Sequence, residues 1–170
     1  MSRSKSTALF ERVFGDSSGC DAFFAPGRVN LIGEHTDYNG GHVLPCALTM
    51  GTCAAIRRRA DGQMRLYSAD FPGAGVVSCP VSEIVNDPAH GWANYPKGVV
   101  KVLLDDGLPV DSGFEMAVAG DMPVGAGLSS SASLEMVTAV ALSGLFSLGL
   151  EGDEGRARMA ALGQRVENSF

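Results

Sequence analysis

Residues 25–41 gather polar side chains and glycines between two apolar segments. The polar residues are Arg28, Asn30, Glu34, His35, Asp37 and Asn39, and the glycines beside them are Gly33, Gly40 and Gly41. Neighbouring carboxylates and an imidazole supply both acceptors and a donor, which a polyhydroxylated sugar needs when its hydroxyls leave water. The run therefore indicates a sugar-binding loop, and a solvated hairpin tip is the alternative.

A second segment, residues 121–135, has the composition of an anion-binding loop. Gly125 and Gly127 permit positive φ and close backbone approach, and the serines at 129–131 add hydroxyls where a helix opens. Unpaired N–H groups and the positive end of the helix dipole would converge on a phosphate placed there. The segment lacks the Lys-Ser/Thr pair of a Walker A loop and the third glycine of a dinucleotide fingerprint. A Gly/Ser cap on a buried helix is the alternative.

The elements that position these two segments can be predicted from hydrophobic periodicity. Helices are predicted around residues 9–14, 92–104, 130–150 and 155–170, and strands around 22–32, 43–56, 64–68 and 114–119. Residues 60–80 read as an antiparallel hairpin because a Pro-Gly turn follows the strand within them. Since helices and strands do not alternate in a regular βαβα order, the predicted fold class is α+β.

Length and charge narrow the class of protein further. The 170 residues suit one domain, with a leader helix in 1–20 and a body in 21–170, and the net charge of −6 disfavours nucleic acid or anionic lipid as partner. The four cysteines form no CxxC pair, the N-terminus has no apolar signal core, and no apolar run reaches about 20 residues. We expect a cytoplasmic protein with reduced thiols and no membrane span.

The two motifs resemble those of a known kinase family. Residues 26–41, PGRVNLIGEHTDYNGG, are similar to the galactokinase signature, and residues 123–132, PVGAGLSSSA, resemble the nucleotide loop of the GHMP small-molecule kinases. Stretches 92–98 and 165–170 also look like galactokinase segments. The resemblance implies an α+β GHMP kinase N-terminal domain of the ribosomal protein S5 domain 2-like type. The implied activity is ATP-dependent phosphorylation of galactose at its anomeric hydroxyl.

The resemblance also implies a role for each matching residue. The residues that would bind galactose are Glu34, His35, Thr36 and Asp37, and Arg28 would stabilise charge on the transferred phosphate. Those that would bind ATP are Trp92, Gly125, Ala126, Gly127, Leu128, Ser129, Ser130 and Ser131. The implied Mg²⁺ ligands are Ser131 and Glu167, a hydroxyl and a carboxylate that suit a hard ion.

The resemblance is to the N-terminal half of the family, and we expect a chain truncated before the C-terminal domain. The family's catalytic aspartate, its usual candidate general base, has no counterpart before Phe170. Three alternatives to an active galactokinase therefore stay open. They are a non-catalytic galactose- and ATP-binding sensor, an inactive truncated gene product, and a kinase for a related sugar such as N-acetylgalactosamine. The oligomeric state is not indicated.

Overall fold

The computed structural model describes residues 3–33, 35–36, 39–123 and 127–170. The helices are α1 (Arg3–Phe14), α2 (Asn94–Asp105), α3 (Ser130–Phe146) and α4 (Gly152–Ser169). The strands are β1 (Asp21–Ile32), β2 (Leu44–Arg59), β3 (Gln63–Ser68), β4 (Val77–Pro80) and β5 (Gly113–Gly120). Short 3₁₀ segments occupy Pro72–Ala74 and Pro88–Ala93. Each helix and strand predicted from periodicity is present.

The five strands form one mixed sheet in the order β1-β2-β5-β3-β4. All neighbours are antiparallel except β3 and β5, which run parallel. The antiparallel pairing of β3 with β4 confirms the hairpin predicted within residues 60–80. A mixed sheet without a regular βαβ order confirms the α+β prediction.

Helices α2, α3 and α4 enclose the main core on one face of the sheet. The prediction that α3 continues to residue 150 is wrong, because Ser147 adopts a left-handed φ of +54° and its N–H donates to Ser143 O. Leu148 and Leu150 are buried in the core without being helical. Their apolar side chains therefore extended the helical pattern beyond the real end of α3. Among the described residues, no helix is both long and apolar enough to cross a lipid bilayer.

Helix α1 covers the opposite face of the sheet. Small residues at Ala55 and Ala117 allow Leu9 and Phe10 of α1 to pack closely, and all four are buried. Because successive strand residues point to opposite faces, β5 is buried on both sides. The alternation of residue types in its sequence predicted the strand, but it did not predict that α1 covers the second face.

A buried carboxylate anchors the arginines on the α1 face. The Glu115 side chain is only 3% exposed and accepts hydrogen bonds from Arg57 Nε at 3.1 Å and from Arg59 Nη1 at 2.9 Å. The Arg57 guanidinium also lies 5.2 Å from the centre of the Phe10 ring. The charge-assisted bonds satisfy Glu115 and join β2 to β5, and the cation–π contact joins α1 to β2.

Candidate functional site

Helix α3 begins at the predicted phosphate loop. Gly127 and Ser129 have φ values of +69° and +57°, and the first hydrogen bond of the helix joins Ser133 N–H to Ser129 O at 2.9 Å. The amides of residues 130–132 therefore lie at the open end of the helix, where an anion is favoured. The Ser129 side chain makes no capping bond. The predicted loop residues Gly125 and Ala126 lie outside the described residues.

Strand β1 is joined to this loop beside Arg28. The Arg28 N–H donates to Leu128 O at 3.2 Å. A Cβ on Gly27 would lie 2.3 Å from Met122 Sδ and 2.9 Å from Leu128 O, so only glycine allows the close approach. The approach coincides with a break in the β1–β2 register after Pro26. The Arg28 side chain is exposed and, within the described parts of the chain, has no hydrogen-bond or ion-pair partner, so it can meet an anion.

The two predicted metal ligands meet across two helices. Ser131 Oγ, in the first turn of α3, donates to Glu167 Oε1, in the last turn of α4, at 2.6 Å. A hydroxyl and a carboxylate are oxygen donors of the kind that Mg²⁺ prefers. Glu167 is exposed, so water and phosphate oxygens can reach the remaining positions of a bound ion. The donor set therefore fits Mg²⁺.

A buried acid that the sequence analysis missed lies one helical turn behind this pair. Glu135 of α3 is 1% exposed, and its Oε1 has no hydrogen-bond partner among the residues described. Gly163 of α4 lies beside it: a Cβ there would be in ordinary contact with Glu135 Oε2 at 3.5 Å but would clash with Met136 Cε at 2.6 Å. Burial, with a smaller contribution from the Glu167 charge, raises the pKa of Glu135 to about 8. The sequence signal that could have identified Glu135 is a carboxyl group among the apolar residues that follow the phosphate loop.

A cavity of about 310 Å³ adjoins the start of α3. Its lining includes the rings of Phe71, Trp92 and Tyr95, and it reaches Ser130 and Ser131. The rings of Phe71 and Trp92 are nearly parallel, 6° apart in plane and 6.5 Å apart in centre. Flat apolar walls suit a planar heterocycle, and the serines place it beside the anion-binding end of α3.

The sequence analysis had named Trp92 as a nucleotide-binding residue and had missed Phe71. Phe71 precedes a Pro-Gly turn and is 47% exposed. The large aromatic side chain next to this turn was the one signal in the sequence that could have identified Phe71. An exposed ring beside a turn often contributes to a binding site.

The predicted sugar-binding loop is described only in part. Glu34 and Asp37 lie outside the described residues. His35 is exposed and has a φ of +62°. The Thr36 hydroxyl lies 2.6 Å from Gly33 O and 3.0 Å from His42 O, so it closes the loop on itself. A contact of Thr36 with a sugar stays a prediction.

Two family models match the chain. The galactokinase galactose-binding signature matches residues 8–58, which contain Arg28 and the polar loop. The GHMP kinases N terminal domain matches residues 94–170, which contain the phosphate loop, Ser131 and Glu167. The fold and these two matches therefore make the chain similar to the N-terminal domain of the GHMP kinases.

Within that group the chain resembles galactokinases. It is 50% identical over 162 residues to the galactokinase of Exiguobacterium sibiricum and 48% identical over 168 residues to that of Bacillus subtilis. These matches cover 95% and 99% of this chain but 40% and 42% of the relatives. The crystal structure of Lactococcus lactis galactokinase complexed with galactose superposes with a TM-score of 0.91 at 44% identity, over 98% of this chain and 42% of that one.

More distant structures share the fold alone. The mevalonate kinase of Methanococcus jannaschii has a TM-score of 0.75 at 23% identity, covering 89% of this chain and 47% of that chain. This chain spans about two fifths of the length of the curated galactokinases it matches. Its resemblance is thus to the N-terminal portion of galactokinases.

Proposed function

We propose that the polypeptide containing this chain is a galactokinase, which transfers the γ-phosphoryl group of ATP to the anomeric hydroxyl of galactose. The observation that carries the proposal is the hydrogen bond of 3.2 Å from Arg28 N–H to Leu128 O. It puts the galactose-binding signature in direct contact with the GHMP nucleotide loop. The identities of 44–50% with galactokinases support the same conclusion.

The nucleotide is proposed to lie along the cavity and the start of α3. Its base packs against Phe71 and Trp92, and its phosphates meet the open amides of residues 130–132. Ser131 and Glu167 would hold Mg²⁺, which would offset the negative charge of the phosphates.

The sugar is proposed to bind the loop after β1, where Glu34, His35 and Asp37 accept and donate to its hydroxyls. In the transfer, the anomeric oxygen bonds to the γ-phosphorus, the bond from that phosphorus to the β–γ bridging oxygen breaks, and ADP departs. The exposed guanidinium of Arg28 opposes the negative charge that develops. We assign the base that removes the hydroxyl proton to no residue of this chain.

The test is a coupled assay of ADP release by the complete polypeptide, with phosphorus NMR of the sugar product. We expect ADP release that needs galactose and Mg²⁺ together, and a phosphate on the anomeric oxygen. Binding of galactose and MgATP without ADP release would contradict a kinase and favour the sensor. Faster turnover of N-acetylgalactosamine than of galactose would reassign the acceptor.

We place this reaction in the cytoplasm. All four cysteines, Cys20, Cys46, Cys53 and Cys79, are free thiols, and burial raises the pKa of Cys53 and Cys79. Thiols in this state fit a reducing compartment. Detection of the protein in the cytosolic fraction, with all four thiols titrating after denaturation, is the expected result.

A further inference from the structure

A buried hydroxyl in the second turn of α3 joins three elements of the fold. Ser133 is 2% exposed, and its Oγ donates to Ala25 O of β1 at 2.9 Å. The same oxygen accepts from Thr52 N–H of β2 at 3.1 Å and lies 3.0 Å from Thr52 Oγ1. One proton and two lone pairs thus all have partners, which is the full capacity of a hydroxyl. Ala25 and Thr52 are register partners in the sheet, so Ser133 fastens α3 across the β1–β2 pair.

These bonds form the second of two attachments between β1 and the phosphate-binding segment. The first is the bond from Arg28 N–H to Leu128 O at 3.2 Å. Along β1 the attachments are at residues 25 and 28, and along the segment they are at 128 and 133. Ser131, the proposed Mg²⁺ ligand, lies between the two attachments on the segment, and Arg28 is one attachment point on the strand. The distance between these two groups is therefore held from both sides.

We propose that Ser133 is a positioning residue that holds the segment 128–133 on β1, and so holds Ser131 and the bound phosphates at the working distance from Arg28. This inference rests on the proposed function. Phosphoryl transfer depends on the placement of charges around the moving group, and a shift of about 1 Å can lower a rate by about 100-fold. Ser133 is buried and is not among the residues that line the cavity, so we expect its effect to be on the rate of transfer more than on binding.

The test compares Ser133→Ala with Ser143→Ala in the complete polypeptide. Ser143 lies on the same helix, is 5% exposed, and its hydroxyl has no partner among the described residues, which makes it a matched control. We expect Ser133→Ala to lower kcat about 10- to 100-fold with KM for galactose and MgATP within about threefold. Ser143→Ala should keep kcat within about twofold. Thr52→Val, which removes one partner and keeps the shape, should lower kcat by less than Ser133→Ala.

A second readout does not depend on turnover. Hydrogen exchange of Thr52 N–H, which donates to Ser133 Oγ, and of Arg28 N–H, which donates to Leu128 O, should be at least about tenfold faster in Ser133→Ala than in the wild type, and unchanged in Ser143→Ala. Lack of galactose-dependent ADP release by the wild type would overturn the proposed function, while exchange would still test the attachment. A wild-type kcat in a folded Ser133→Ala variant, or unchanged exchange, overturns the inference.

Discussion

Ser131 Oγ donates a hydrogen bond of 2.6 Å to Glu167 Oε1, although 36 residues separate them in the chain. The bond joins the first turn of α3 to the last turn of α4. Two oxygen donors meet there at the rim of the aromatic cavity, because Ser131 also lines that cavity. This contact is the structural basis for the proposed Mg²⁺ site.

Glu167→Gln is expected to weaken the response to metal. The neutral amide keeps the shape but binds Mg²⁺ more weakly, so the Mg²⁺ concentration for half-maximal rate should rise about tenfold or more and kcat should fall. Glu154→Gln is the control, since Glu154 is an exposed carboxylate in the first turn of the same helix. The measurement is ADP release against Mg²⁺ concentration. If the Mg²⁺ dependence of Glu167→Gln were the same as that of the wild type, Glu167 would not be a metal ligand.

Arg28→Ala is expected to lower kcat about 10²- to 10³-fold, with KM for galactose within about threefold. The guanidinium acts mainly on charge that develops in the transition state, and the bond to Leu128 uses the backbone N–H, which alanine keeps. Arg158→Ala, at an exposed position on α4, is the control. Loss of galactose affinity with an unchanged kcat would make Arg28 a binding residue only.

Stability should fall as pH rises because of Glu135. Its pKa is about 8 in the folded chain against 4.5 for the free side chain, so between these values the folded state holds a proton that the unfolded state releases. The contribution of this group to the free energy of unfolding is therefore complete below pH 4.5. It falls by a few kcal/mol as pH rises from there through 8. Glu135→Gln stays neutral and should flatten this slope in urea unfolding without Mg²⁺. An unchanged slope, matching that of Glu154→Gln, would contradict the raised pKa.

Phe71→Ala is expected to weaken ATP binding about 3- to 10-fold without changing galactose binding. The change removes one of the two parallel rings beside the cavity, and an aromatic contact of this kind contributes about 1 kcal/mol. Trp92 is the one tryptophan of the sequence, so its fluorescence reports the titration. Phe24→Ala, at another half-exposed aromatic outside the cavity lining, should titrate like the wild type. Equal weakening of ATP binding by both changes would mean that the adenine base does not pack against Phe71.

Glu115→Gln is expected to destabilise the fold by about 2–3 kcal/mol, because it leaves Arg57 and Arg59 without their buried partner. Asp111→Asn removes an ion pair with Arg58 whose side chains are 63% and 48% exposed, and should change stability by less than about 1 kcal/mol. Urea unfolding of both variants checks the difference. Similar losses in the two would mean that the Glu115 network contributes no more than a surface pair.

Local features of the sequence were enough for the class of protein and for most elements. The glycines and serines of the phosphate loop and the polar run after β1 carry their chemistry in consecutive residues. Strand and helix periods likewise show in short windows, as at Gln63–Ser68 and Asn94–Asp105. The end of α3 was misjudged because apolar residues such as Leu148 are buried whether or not they are helical.

What the sequence by itself determined was therefore the α+β class, the GHMP-type motifs and the candidate residues within them. Only the tertiary structure decided that Ser131 meets Glu167, that Glu135 is buried behind them, and that Ser133 bonds to both β1 and β2. The physical reason is that periodicity reports which side of an element is apolar. Contacts between residues 36 to 108 positions apart depend on how the elements pack, and so do the pKa of a buried acid and the partners of a buried hydroxyl.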